Sequence, residues 1–273
     1  MVMESKVLIS VKELKQILNK VTLLDCRYRL TEPDYGFNEF VKSHIPGAFF
    51  MDLNSHLASE VKLTGGRHPL PDIDILKTRL EEVGITNDTS IVCYDDNLSG
   101  AGRCWFLLKY MGILNVRVLN GGFDEWNKFG LVVESGPERK VPPGHIDVKL
   151  NSDLIATHED ILNQSNKHKI IDARETYRYE GRKEPIDKIA GRIPGAINIP
   201  YTELMNGTVM KRKDELKKLL NGLQDGDILY CGSGVTSCVN FLAMEYIGIR
   251  PKLYVGSYSD WISRDLDVER DQD

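Results

Sequence analysis

One cysteine in this chain stands where nucleophilic chemistry would want it. In Ile228–Cys238, "ILYCGSGVTSC", an apolar run ends at Cys231. Gly232, Ser233, Gly234, Val235 and Thr236 then lead within five residues into a helical pattern. A tight passage from strand to helix points several backbone N–H groups into one concavity, an anion nest. A sulfur at its centre is favoured as thiolate, its pKa drawn down from about 8.5. The same donors can hold a further atom on that sulfur, as in a persulfide. Gly232 and Gly234 supply backbone freedom, and Ser233 and Thr236 supply hydroxyls without competing charge. Taken alone, a strand-end cysteine followed by a glycine turn is more often a small buried hydrophobe.

The chain carries its own control, because it is written twice. "LLDCR" (Leu23–Arg27) matches "IIDAR" (Ile170–Arg174), and "SHIPGAFF" (Ser43–Phe50) matches "GRIPGAIN" (Gly191–Asn198). "IVCYDD" parallels "ILYCGS", "KYMGI" parallels "EYIGI", and "GGFDEW" parallels "GSYSDW", all in the same order. Aligning Tyr110 with Tyr246 puts Asp95 where Cys231 stands. A core position would rarely alternate between cysteine and aspartate, whereas a polar loop mouth could. The comparison favours Cys231 as a nucleophile.

The elements that must position this loop follow from the repeat. "VTLLDC", "SIVCY", "VRVLN", "KIIDA", "DILYC" and "PKLYV" read as short buried strands. "VKELKQILNK", "DILKTRLEEVG", "AGRCWFLLKYMG", "HEDILNQ", "KDELKKLLNG" and "TSCVNFLAMEYIG" read as helices. Alternation of this kind implies an α/β fold, two tandem domains each with a mainly parallel sheet flanked by helices. Ligands of such sheets bind beyond the carboxyl ends of strands, where Cys231 lies. "ESGPERKVPPG" (Glu134–Gly144) has linker composition. The expected division is a first domain over 1–134, a linker over 135–150 and a second domain over 151–273.

Composition excludes several classes. The 273 residues carry a net charge of −5, with 41% hydrophobic and 27% charged residues, as in a soluble globular protein. A nucleic-acid surface is not indicated. No apolar run approaches the roughly 18–20 residues that span a bilayer, and "MVMESKVLIS" lacks a secretion signal's apolar core. A cytoplasmic protein is expected. Five cysteines, an odd number, argue against a disulfide framework. Their spacing, without C-x2-C, suggests no metal site, and Cys26 and Cys93 read as buried core residues.

The pattern as a whole resembles the two-domain rhodanese-type sulfurtransferases, over nearly the full chain. The resemblance rests on "LLDCR" with "IIDAR", the doubled "IPGA", "GRHPLP" (Gly66–Pro71), "EPIDKIAGRIPGAINIP" and the six-residue loop "CGSGVT". It implies two rhodanese-like domains, the first non-catalytic with Asp95 at the cysteine position, the second catalytic through Cys231. It also implies a ping-pong reaction. Cys231 takes sulfane sulfur from 3-mercaptopyruvate or thiosulfate, and the persulfide passes it to a thiophilic acceptor such as cyanide, a thiol or a thioredoxin-like protein. No cofactor and no metal are implied, and no nucleic-acid or membrane partner.

Both donors are small anions, so cationic anchors are needed near the sulfur. The resemblance assigns that work to Arg178, four residues past Arg174, with the loop residues Gly232 to Thr236 completing the donor site. Arg174 is expected to form a structural ion pair with Asp172. A second family arginine has no match, its place being taken by Ile186, so Lys188, Arg182 or Lys183 are substitutes to consider. An uncharged loop leans slightly toward 3-mercaptopyruvate. His44 and His68 are expected mainly in structural hydrogen bonds, His44 with some prospect of proton transfer. Cys238 is expected in the helical core about two turns beyond the loop, and Trp126 and Trp261 as packing residues. Two rivals are a persulfide carrier or binding module that does not turn over small donors, and a phosphatase of the same fold. The latter wants C-x5-R, but the position six after Cys231 is Ser237.

Overall fold

A computed structural model describes residues 7–163 and 167–271. The chain divides into two compact units. The first comprises 1–58, 71–151 and 207–210; the second comprises 59–70, 152–206 and 211–273. Each therefore holds a short segment from the other's stretch of sequence. Segment 59–70, which includes "GRHPLP", belongs to the unit that carries Cys231.

In the first unit the strands are β1 (Leu8–Ile9), β2 (Thr22–Asp25), β3 (Phe49–Phe50), β4 (Ile91–Tyr94) and β5 (Val116–Leu119). They form one sheet in the order β1-β5-β4-β2-β3, and every pair is parallel. In the second unit the sheet consists of β6 (Ile155–Ala156), β7 (Ile170–Asp172), β8 (Ile197–Asn198), β9 (Ile228–Tyr230) and β10 (Lys252–Tyr254). Its order is β6-β10-β9-β7-β8, again parallel throughout, so the two units share one topology. The repeats in the sequence are repeats in the fold. The central strands are near-continuous apolar runs because helices flank the sheet, as parallel sheets require.

Equivalent side chains make equivalent contacts. Tyr94 Oη accepts the Ile45 N–H at 3.2 Å, and Tyr230 Oη accepts that of Ile193 at 3.2 Å. Arg27 forks onto Asp25 and donates to Ser43 O at 2.7 Å; Arg174 forks onto Asp172 and donates to Gly191 O at 2.7 Å. Arg174 also lies 4.0 Å over the Tyr258 ring, and Arg27 4.3 Å over Phe123. These buried pairs tie a strand end to the "IPGA" turn, and removing one partner of such a pair costs about 3–5 kcal/mol. Arg174 is thus structural, as expected. Trp126 and Trp261 are buried, donating their indole N–H to Val132 O and Asp267 O.

Candidate functional site

The second unit's site begins at the end of β9. Cys231 is 1% exposed, and the helix Ser237–Ile247 begins six residues later. Its sulfur accepts hydrogen bonds from the Gly234 N–H at 3.1 Å and from the Ser237 hydroxyl at 3.3 Å. Burial pushes the thiol up. Hydrogen bonds from the Ser237 and Thr236 hydroxyls and from the Ser237 and Ser233 N–H groups outweigh it, and hold the thiol below its ordinary value. The loop is thus a cage of donors around one sulfur. Ser237, just beyond "CGSGVT", is the donor that the sequence reading missed. Ser233, expected as a donor to the sulfur, turns its hydroxyl to His68 Nδ1 at 2.8 Å.

Two guanidinium groups stand over Gly232. A Cβ added there would lie 2.8 Å from Arg67 Nη2 and 3.3 Å from Arg178 Nη2. A side chain at 232 would have to push the end of the Arg67 fork aside; the φ of Gly232 is not in the left-handed region, whereas Gly234, at φ 75°, is. Arg178 is buried on the short helix Thr176–Tyr179. Its Nε bonds both Glu184 oxygens at 3.0–3.1 Å, and its Nη2 bonds Asp187 at 3.0 Å. Arg67 pairs with the other Asp187 oxygen, and its buried Nε has no hydrogen-bond partner. Burial pushes the Asp187 carboxyl up in spite of both arginines. The carboxylates hold the two forks in place without enclosing them, which leaves N–H groups near the loop for a small anion.

Arg67 and His68 reach the loop because segment 59–70 is anchored to the second unit. Gly65 N–H donates to Asp260 at 2.6 Å and Arg67 N–H to Ser259 Oγ at 3.1 Å. Gly66 passes so close that a Cβ would lie 2.3 Å from Gly256 O. His68 is buried and makes the structural hydrogen bond expected of it, but to a hydroxyl of the cysteine loop itself. Arg67 was missed, although it sits inside the "GRHPLP" motif that carried the resemblance.

In the first unit, Asp95 takes up the position of Cys231. Phe123 N–H donates to Asp95 O at 2.9 Å, as Tyr258 N–H donates to Cys231 O at 3.0 Å. The carboxylate accepts from the N–H groups of Leu98 at 2.7 Å, Gly100 at 2.8 Å, Ala101 at 3.2 Å and Asn97 at 3.3 Å. Burial pushes it up to about 7 against the Ala101, Leu98 and Gly100 donors.

The Rhodanese-like domain family matches residues 10–129 and 156–264. The chain belongs to this family. A Mycobacterium tuberculosis relative provisionally named thiosulfate sulfurtransferase SseB is 37% identical over 274 residues, covering 94% of each chain. A Pseudomonas aeruginosa relative provisionally named 3-mercaptopyruvate sulfurtransferase is 37% identical over 276 residues, covering 96% of each. Among solved structures, the 3-mercaptopyruvate sulfurtransferase from Leishmania major superposes with a TM-score of 0.85 at 30% identity, covering 94% of this chain and 74% of its own.

The remaining candidates of this rhodanese-like chain lie elsewhere. Arg182 is exposed and paired with Glu180 at 3.0 Å. Lys183 and Lys188 are exposed. In the position that the family arginine would occupy, Ile186 is also exposed, and the second guanidinium at Gly232 comes from Arg67 instead. His44, in the first unit, bonds Phe40 O through Nδ1 at 2.7 Å and stacks on the Phe40 ring. Cys238 is the second residue of its helix rather than two turns in, with its thiol on Gly234 O at 3.4 Å. Among the described residues, Cys26, Cys93 and Cys104 form a cluster with metal-holding geometry. Sequence spacing could not reveal it because the three come from separate elements. No helix among the described residues is long and apolar enough to cross a membrane.

Proposed function

We propose that the chain is a sulfurtransferase in which Cys231 carries the sulfur. The observation that carries this reading is a buried thiol held low by loop donors, with two guanidinium groups over the adjacent glycine. In the first half-reaction the Cys231 thiolate attacks the sulfane sulfur of a small anionic donor. An S–S bond forms, and the donor's bond to that sulfur breaks with its electron pair leaving on the donor. With 3-mercaptopyruvate the leaving group is the enolate of pyruvate, which takes a proton at carbon. In the second, a thiophile attacks the outer sulfur and Cys231 leaves as thiolate. No external oxidant or reductant enters.

Arg178 and Arg67 hold the donor's anionic end, and Gly232 to Thr236 line its reacting end. The Ser233–His68 pair supports 3-mercaptopyruvate over thiosulfate, because only the former has a ketone oxygen whose developing charge a hydroxyl can stabilise. The first domain, over 1–134 apart from the segment 59–70 that lends Arg67 and His68 to the Cys231 loop, is non-catalytic because its own loop presents Asp95; residues 135–150 link it to the catalytic domain over 151–273. Cyanide, a thiol or a thioredoxin-like protein serves as acceptor. Five cysteines, none in a disulfide among the described residues, fit a cytoplasmic setting.

The test is kcat/KM for 3-mercaptopyruvate and thiosulfate with cyanide as acceptor. The expected result is a higher value for 3-mercaptopyruvate that falls in Ser233→Ala, with thiosulfate turnover little altered. Equal losses for both donors would remove the ketone argument. Full activity in Cys231→Ser would remove the whole reading.

A further inference from the structure

The first unit contains three sulfurs for which the reaction above has no use. Cys93 lies on β4 in register with Leu24 of β2. Cys26 is two residues beyond Leu24, so both point to the same face of the sheet. Cys104 comes from the helix Ser99–Tyr110, which packs on β4 and β5. The three sulfur atoms lie within 4.8 Å of one another, and the residues are at most 1% exposed.

Packing alone does not demand sulfur here. The second unit has the same sheet, and its register puts Ala173 and Leu229 in the places of Cys26 and Cys93, with Asn240 in that of Cys104. The thiols also act on one another. Burial pushes Cys26 and Cys93 well up, while S–H bonds from both hold Cys104 down to about 5.

We propose that Cys26, Cys93 and Cys104 form a three-sulfur site for a trivalent thiophilic metalloid such as arsenic(III). Bonds of about 2.3 Å at the near-right angles of a pyramidal trivalent centre set three sulfurs ~3.5 Å apart, inside the 4.8 Å within which these three lie. Charge decides between ions. A divalent ion on three thiolates leaves a net negative charge in a buried site, which is costly. The tris-thiolate of a trivalent ion is neutral. Three thiols and one molecule of arsenous acid give one arsenic tris-thiolate and three waters. Three S–H and three As–O bonds break, three As–S and three O–H bonds form, and no oxidation state changes.

The site is closed, so loading requires the helix Ser99–Tyr110 to open locally and is slow in native buffer. The full chain is incubated with arsenite, with and without low urea, and read by intact mass and arsenic X-ray absorption. The expected result is a mass gain of one arsenic less three hydrogens, three sulfur neighbours, and faster loading in urea. Only two other cysteines exist, Cys231 and Cys238, so three-sulfur coordination within one chain needs at least one cluster cysteine, and three-sulfur coordination that persists in Cys231→Ser needs at least two. Cys104→Ala and Cys93→Val, checked for folding by circular dichroism, each weaken binding by about 10²–10⁴-fold, the effective-concentration advantage of the lost intramolecular bond. Cys231→Ser leaves binding intact and separates this site from the sulfur-transfer reading. Uptake that vanishes in Cys231→Ser, two-sulfur coordination, or no uptake even in urea overturns the proposal.

Discussion

The loops after β4 and β9 are the same cradle holding different anions. Both follow a buried tyrosine, both are closed by an N–H on the carbonyl of the central residue, and both turn through a left-handed residue at the same place. That residue is Gly234, at φ 75°, in one loop and Leu98, at φ 66°, in the other. A left-handed leucine costs about 1–2 kcal/mol, so the backbone shape is held by the fold rather than by glycine. The difference lies in the occupant. The first loop satisfies its N–H groups with the carboxyl of Asp95, an acceptor tethered from within. The second presents them to a sulfur that can ionise, gain an atom and lose it. The Asp95 carboxylate also reaches one atom further than a cysteine sulfur, the length of a persulfide, and its outer oxygens bond the Leu98, Gly100 and Ala101 N–H groups. The corresponding donors in the second loop are those of Gly234, Thr236 and Ser237.

The sharpest way to break this comparison is to exchange the occupant. Cys231→Asp is expected to fold, with a melting temperature near that of the parent, and to lose sulfur transfer to the uncatalysed background. A variant that unfolds would show that the two cradles are not equivalent.

Next in size is the anion anchor, which has no part in the first loop's chemistry. Arg67→Lys and Arg178→Lys keep the charge beside Asp187 but lose the fork. Each is expected to raise donor KM by about 10–100-fold, the worth of a hydrogen bond to a charged group, with kcat reduced less. Unchanged KM in Arg67→Lys would remove Arg67 from the site.

Smaller effects concern ionisation. The Cys231 thiol is held below its ordinary value partly by Ser237, so persulfide formation should rise with pH along a limb that lies below the usual thiol range. Ser237→Ala should move that limb to higher pH by about one unit, one charged hydrogen bond's worth. For Asp95 the sign is reversed. A carboxyl raised to about 7 in the folded state makes the native protein bind more protons than the unfolded chain between its unfolded value near 3.8 and 7. Its contribution to stability therefore declines as pH rises through that window. The difference in unfolding free energy between the parent and Asp95→Asn, followed from pH 5 to 8 by urea titration, should fall with pH. A flat difference would contradict the assignment. The smallest expected effect is that of Cys238→Ala, whose thiol caps Gly234 O rather than Cys231; kcat/KM should stay within about twofold, as for a conservative change away from a key contact.

The fold was legible because it was written twice: strand-length apolar runs and glycine-closed helices recur in one order, and the sheets repeat that order. Cys231 was legible because its own copy supplied the contrast with Asp95. The place of Arg178 beside the loop was legible through the resemblance, four residues past Arg174. Arg67 and His68 were not, since segment 59–70 lies some 160 residues before the loop and no local periodicity reports which unit a connecting segment joins. Ser237 escaped because the motif ends one residue earlier, while the helical turn brings its hydroxyl back over the sulfur. The thiol cluster escaped because strand register and helix packing, not spacing, assemble it.

The central claim is tested most directly by exposing the protein to 3-mercaptopyruvate with no acceptor, digesting it, and weighing the peptide that contains Cys231 and Cys238. The account predicts one added sulfur, on Cys231, removed by cyanide with the release of thiocyanate. Turnover with Cys231 unmodified, or the added sulfur on Cys238, would contradict it.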